Sequence, residues 1–114
     1  MTNHLSKSRY KRGLHCSKKL WLSTHKYDLG IYKKSFAAYI GDAVGIGATK
    51  NYPEGKLVTA LFNKHEDAIN ETLELINNQK VQAIFEAAFE FDDIRIRVDI
   101  FERIHDNSWG IREV

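Results

Sequence analysis

Residues 82–104 read Gln82-Ala-Ile-Phe-Glu-Ala-Ala-Phe-Glu-Phe-Asp-Asp-Ile-Arg-Ile-Arg-Val-Asp-Ile-Phe-Glu-Arg-Ile104. Two apolar-rich runs, Gln82 to Phe91 and Ile94 to Ile104, flank Asp92-Asp93. This is the pattern of two strands joined by a two-residue turn. The second run alternates, with Ile94, Ile96, Val98 and Ile100 on one side and Arg95, Arg97 and Asp99 on the other. The first places Phe85, Ala87, Phe89 and Phe91 on one side and Glu86, Ala88 and Glu90 on the other. A turn at Asp92-Asp93 then sets Phe91 against Ile94, Phe89 against Ile96 and Ala87 against Val98. On the other face Glu90 meets Arg95, Ala88 meets Arg97, and Glu86 meets Asp99. A slip of one residue would break every apolar pair.

That register has one conflict. Glu86 and Asp99 are like charges face to face, unfavourable by up to about 1 kcal/mol. Arg97, diagonal to Glu86, or a divalent cation held by the carboxylates would compensate. A third strand, Trp109 to Val114, follows His105-Asp-Asn-Ser108. A three-residue loop would set Glu113 opposite Asp99, with Trp109, Ile111 and Glu113 on the Asp99 face. Glu86, Asp99 and Glu113 would then converge from three neighbouring strands. The arrangement reads either as a cation site or as a solvated sheet face with incidental acids.

Working towards the N-terminus, residues 65–78 form an amphipathic helix. Its expected buried stripe is Ala68, Ile69, Leu73 and Ile76, with Thr72 and Leu75 at the margin. Its acids Glu66, Asp67, Glu71 and Glu74 sit mostly in the first half, where the helix dipole favours them. Residues 56–62 read as one short strand, after a turn at Asn51-Tyr-Pro-Glu-Gly55 that holds the only proline. Ser35 caps a helix over 36–49, in which Gly41 and Gly45 share a face and invite close approach of another backbone. Thr24 to Lys34 reads as a loop turning at Asp28-Leu-Gly30. Ser6 caps a helix reaching Leu14, and Cys16 to Leu22 forms a second helical turn anchored by Leu20, Trp21 and Leu22.

The expected fold is α+β. N-terminal helices and one amphipathic helix pack on a mostly antiparallel sheet of three to four strands. The 114 residues make one domain, with 1–34 as a basic helical arm and 35–114 as the helix-plus-sheet core. A 43% hydrophobic, 28% charged composition excludes disorder along the whole length. The single cysteine excludes an internal disulfide framework and fits a reducing compartment. No run is long enough for a membrane span and the polar start lacks a secretory signal, so a cytoplasmic location is expected.

The formal charge of +2 hides an asymmetry. Residues 1–34 carry nine Lys/Arg against one acid, Asp28; the remainder carries eight against fourteen. Lys7, Arg9, Lys11, Arg12, Lys18 and Lys19 could grip a phosphate backbone in a salt-dependent, sequence-independent way. The plainer reading is a basic solvated surface beside an acidic one. Tyr10 and Trp21 read first as core anchors and second as base-stacking rings. The five histidines lack metal-ligand spacing and are expected at the surface or in loops.

Asp99 within Arg97-Val-Asp-Ile100, followed by Glu113-Val114, resembles the Asp…Glu-x-Lys pattern of PD-(D/E)xK nucleases. The stretch Leu5-Ser-Lys-Ser-Arg-Tyr-Lys-Arg-Gly-Leu-His-Cys-Ser-Lys-Lys-Leu-Trp-Leu22 is similar to the start of RecB-type nucleases and their CRISPR-associated adaptation relatives. Gly41-Asp-Ala-Val-Gly45 and Phe85-Glu-Ala-Ala-Phe89 extend the likeness to an uncharacterised bacterial RecB-like family, along almost the whole chain. The resemblance implies the N-terminal part of a longer protein with an incomplete PD-(D/E)xK core. It implies metal-dependent phosphodiester hydrolysis on nucleic acid, DNA before RNA. Asp99 and Glu113 would be the catalytic carboxylates holding Mg²⁺ or Mn²⁺, with the Val114 carbonyl as a further ligand and Glu86 beside them. Cys16 would be the first of four thiolates of a [4Fe-4S] cluster, the other cysteines coming from a longer chain.

Three departures bear on this. No Lys follows Glu113-Val114, no His lies in Gly41 to Gly45 where Asp42 stands, and Ser17 replaces a frequent Pro. Little or no nuclease activity is therefore expected of this chain, with Cys16 an inert packed thiol and the last strand an open edge prone to self-association. The alternative is a non-catalytic nucleic-acid-binding or protein-interaction module.

Overall fold

A computed structural model describes residues 4–114. Strand β1 (Leu5–Ser6) leads into helices α1 (Lys7–His15) and α2 (Ser17–His25), followed by one 3-10 turn, Tyr27–Leu29. Helix α3 (Phe36–Thr49), strand β2 (Lys56–Leu57) and helix α4 (His65–Asn77) precede the hairpin strands β3 (Ala83–Phe91) and β4 (Ile94–His105), and β5 (Ser108–Arg112). The caps follow hydroxyl chemistry. Ser6 Oγ accepts the Arg9 amide at 3.3 Å and Ser35 Oγ the Ala38 amide at 3.1 Å. Cys16 does the same for α2 through Sγ, accepting the Lys19 amide at 3.4 Å.

The fold is mixed α and β as expected, but the sheet is less antiparallel than the hairpin alone implied. β3–β4 and β4–β5 are antiparallel, whereas β1 joins β4 and β2 joins β3 in parallel. The expected strand over 56–62 shrinks to Lys56–Leu57. Beyond it the chain is held by a side chain, because Glu71 accepts the Thr59 and Ala60 amides at 2.9 and 3.2 Å. β1 was hidden in the sequence by its two-residue length. It is fixed where the Leu5 amide donates to the Asp93 carbonyl at 2.8 Å.

The hairpin pairs as read: Phe91 with Ile94, Phe89 with Ile96, Ala87 with Val98, Ala88 with Arg97 and Glu90 with Arg95. Asp92 and Asp93 have φ of 50° and 60°, the left-handed pair that a type I′ turn needs. The facing of the side chains is corrected at one rung. Glu86 has φ 59° and drops out of the ladder opposite Asp99. The core divides there into two clusters. Phe85 and Ile100 pack with Ala83 against Ala48 and Tyr52, while Ile84, Ala87 and Val98 pack with Ala68 of α4. The pairs Phe85–Ile100 and Ala87–Val98 thus belong to two separate clusters of the core.

β5 pairs with β4 with Ile100 opposite Arg112 and Phe101 opposite Ile111, so that Glu113 follows just past the last pair, next to the level of Asp99. A two-residue loop at Asp106-Asn107 and an irregularity at Ile104 produce the offset expected of a three-residue loop. Along its other edge β5 has no partner strand among the described residues.

α4 lies on β3 with its roll shifted from the apolar stripe. Thr72 is 1% exposed and Leu73 is 50% exposed. The Thr72 hydroxyl accepts the Ala88 amide at 2.9 Å and donates to the Ala68 carbonyl at 2.8 Å, so a buried strand amide is satisfied by a helix side chain. His65, expected at the surface, is buried, with Nε2 3.2 Å from the Phe89 carbonyl oxygen. Burial lowers its pKa, with Arg95 and Arg97 adding in the same direction. Arg103 is buried as well. It donates to the carbonyls of Val81, Asp106 and Ile76 at 2.9, 2.8 and 2.9 Å and stacks over the Trp109 ring.

α3 departs most from expectation. Gly41, Gly45 and Gly47 have open space beside them rather than a neighbouring backbone. Phe36, Tyr39, Ile40, Val44 and Ile46 are exposed, and only the C-terminal turn meets the sheet, through Ala48.

Candidate nucleic-acid interface and carboxylate cleft

A cleft of about 750 Å³ opens between α3 and the sheet. Gly41, Asp42, Gly45 and Thr49 form one wall; Phe85, Glu86, Asp99, Ile100 and Val114 form the other. Its position follows from the β3–β4–β5 register and from the departure of Glu86 from the ladder. A non-glycine residue at positive φ inside a strand stores strain of about 1–3 kcal/mol, and such residues cluster at functional sites.

The expected trio meets only in part: Glu86 and Asp99 line this cleft with Val114, whereas Glu113 turns away to Lys7. The Glu86 carboxyl titrates above the ordinary carboxylate range. Burial is the main cause and the Asp99 charge the second, with Arg97 acting the other way. Arg97 does not pair with the Glu86 carboxylate. Its guanidinium donates to the Glu86 and Ala60 carbonyls at 3.3 and 3.1 Å and lies 5.0 Å from the Phe62 ring centroid. Asp99 Oδ2 accepts the Val114 amide at 2.8 Å. Glu113 turns to Lys7, whose Nζ donates to Oε2 at 2.9 Å between exposed side chains.

These residues do not complete a Mg²⁺ or Mn²⁺ site as they stand. Among the described residues no group of three or more His, Cys, Asp or Glu side chains is arranged to hold a metal ion. One carboxylate accepts a backbone amide, one has its pKa raised by burial, and the third is paired with a lysine. Cys16 by itself supplies one of the four thiolates that a [4Fe-4S] cluster needs. Cys16 is exposed rather than packed, which corrects the expectation of a buried thiol.

The basic arm is displayed to solvent. Lys11, Lys18 and Lys19 are exposed and Arg9 and Arg12 half-buried, while Lys7 is engaged with Glu113. Arg9 Nη1 donates to the His4 carbonyl at 2.7 Å. Tyr10 and Trp21 are 55% and 53% exposed, so they are not core anchors. The cause is geometric: α1 and α2 pack on each other and reach the sheet through the short β1, leaving little apolar surface to bury them. Trp21 lies 5.1 Å from the His25 ring, and Tyr27 stacks on Tyr32 at 4.4 Å. A second cleft of about 430 Å³ is lined by His4, Arg9, Ser17, Leu20, Trp21 and His25.

Sequence reasoning missed the Trp21–His25 pair, although their separation of four residues on a helix was a usable signal. Among the described residues no helix is long and apolar enough to cross a membrane. No family model, curated protein or solved structure matches this chain.

Proposed function

We propose that this domain engages nucleic acid. The basic arm holds the phosphodiester strand beside the cleft floored by Glu86 and Asp99, the position at which a PD-(D/E)xK nuclease performs metal-dependent hydrolysis. The observation that carries the reading is the sheet register. It brings Asp99, Glu86 and the Glu113-Val114 segment to one end of the sheet, with Glu86 at a strained backbone angle. Lys7 on Glu113 links the basic arm to that same end. With the cation ligands incomplete, the chain by itself binds without cutting.

The test is fluorescence anisotropy on labelled DNA across a salt series, followed by incubation of the same complexes with Mg²⁺ or Mn²⁺. Binding should weaken steeply as salt rises, in proportion to the phosphates contacted. The substrate should stay intact, and Asp99→Asn should bind at least as well as the native chain. Absence of binding at low salt would refute the reading.

A second reading is a working metal-dependent nuclease, favoured by the convergence of Glu86 and Asp99 in one cleft. Efficient cleavage that Asp99→Asn abolishes would establish it in place of the first. The open edge of β5 is where self-association would arise, and sedimentation at increasing concentration would detect it.

A further inference from the structure

The cleft between α1 and α2 is separate from the carboxylate cleft and has a different chemistry. One wall carries the Trp21 and His25 rings, inclined at 38° with centroids 5.1 Å apart; the other carries His4 and Arg9. Its volume of about 430 Å³ falls within the range of small-ligand pockets. Aromatic faces with an adjoining guanidinium match a planar ring linked to a phosphate. Basic residues outnumber acids around it, because no acidic residue occurs before Asp28, and Glu90 of the sheet is the acid that acts on His4. The stacked Tyr27–Tyr32 pair continues the aromatic surface, with Lys26 and Lys33 flanking it in sequence.

We infer that this cleft seats one unpaired nucleotide of a single strand, its base against Trp21 and His25 and its phosphate towards Arg9. A base inside a duplex is stacked on both faces and has no free π-surface to offer, so the exposed Trp21 and His25 rings can stack only on an unstacked base. The inference rests on the nucleic-acid reading above and adds the strandedness of the substrate and the residue that reads it.

The experiment measures anisotropy with three labelled probes of equal length. They are a thymidine 12-mer, a 12-base-pair duplex, and a 12-mer of abasic phosphodiester units that keeps the charge and removes the bases. The thymidine strand should bind the native chain at least several-fold tighter than the abasic strand. Trp21→Ala should weaken the thymidine strand about 5- to 140-fold, the range of one lost stacking contact. It should leave the duplex and the abasic strand unchanged, which also reports that the variant is folded. Trp21→Phe should retain most of the affinity.

Equal binding of thymidine and abasic strands by the native chain would overturn the inference without requiring any variant. So would an equal loss on all three probes with Trp21→Ala. If the duplex and abasic strands bind and Trp21→Ala changes nothing, the inference fails and the nucleic-acid reading stands. If no probe binds, both fail.

Discussion

The backbone at Glu86 makes a prediction whose sign is opposite to ordinary experience. In an ordinary strand, alanine is more stable than glycine by about 0.5–1 kcal/mol, because glycine loses more chain entropy on folding. At φ 59° an L-residue meets its own carbonyl through Cβ, which costs about 1–2 kcal/mol that glycine does not incur. The difference leaves Glu86→Gly more stable than Glu86→Ala by roughly 0.5–1 kcal/mol. For a chain this size that is a gap of roughly 3–6 °C in Tm. Both variants remove the same carboxylate, so the comparison isolates the backbone. Thermal and urea unfolding followed by circular dichroism at pH 7 would measure it. An alanine variant as stable as the glycine variant, or more so, would refute strain at this rung.

Glu86→Gln separates charge from strain. The raised pKa means that the fold favours the protonated acid. Its stabilising contribution is complete below the ordinary carboxyl range and is lost as pH rises through the raised value. The stability of the Gln variant should therefore gain on that of the native chain between about pH 4 and pH 7.

Thr72→Val keeps the shape and orphans the Ala88 amide, and should cost about 1–3 kcal/mol by urea unfolding. A loss under half a kilocalorie would mean that water reaches that amide. The depressed pKa of His65 marks a ring held neutral by burial. Its contribution is complete above the ordinary value of 6.5 and is lost as pH falls. Urea midpoints should drop from pH 7.5 to pH 5 in the native chain and much less in His65→Gln; parallel curves would refute the assignment. Replacing Asp92-Asp93 by Asn-Gly fits both left-handed positions and should raise stability by about 0.5 kcal/mol, read as a higher urea midpoint.

The hairpin register was legible because each rung pairs apolar with apolar, a constraint that no shifted alignment meets. The β4–β5 offset came out as expected by another route, a two-residue loop with an irregularity at Ile104 in place of a three-residue loop. The departure of Glu86 from the ladder was not legible. Its left-handed angle belongs to the backbone of one residue, and no side chain announces it. Thr72 and His65 escaped notice because hydrophobic patterning ranks residues by transfer energy, while their burial is set by one carbonyl or amide that needs a partner. Arg103 escaped for the same reason, its partners being backbone carbonyls spread over three segments. Tyr10 and Trp21 were misread as anchors because a pattern of apolar residues does not reveal whether a second layer exists to cover them. Of the three candidate carboxylates only Glu86 and Asp99 line one cleft, and the diversion of Glu113 to Lys7, which joins positions more than a hundred residues apart, was not legible.

The solitary course of α3 has a consequence for access. A helix of 14 residues with three glycines and almost no tertiary support is near the length at which isolated helices are marginal in water. Its amides should exchange with deuterium through local opening at a small fraction of the global unfolding free energy, whereas those of β3 and β4 should exchange near the global limit. Because α3 is one wall of the carboxylate cleft, that wall melts long before the sheet does. Under the proposed function, entry of a polymer past Glu86 and Asp99 would be governed by a helix–coil equilibrium, with no hinge or domain movement required.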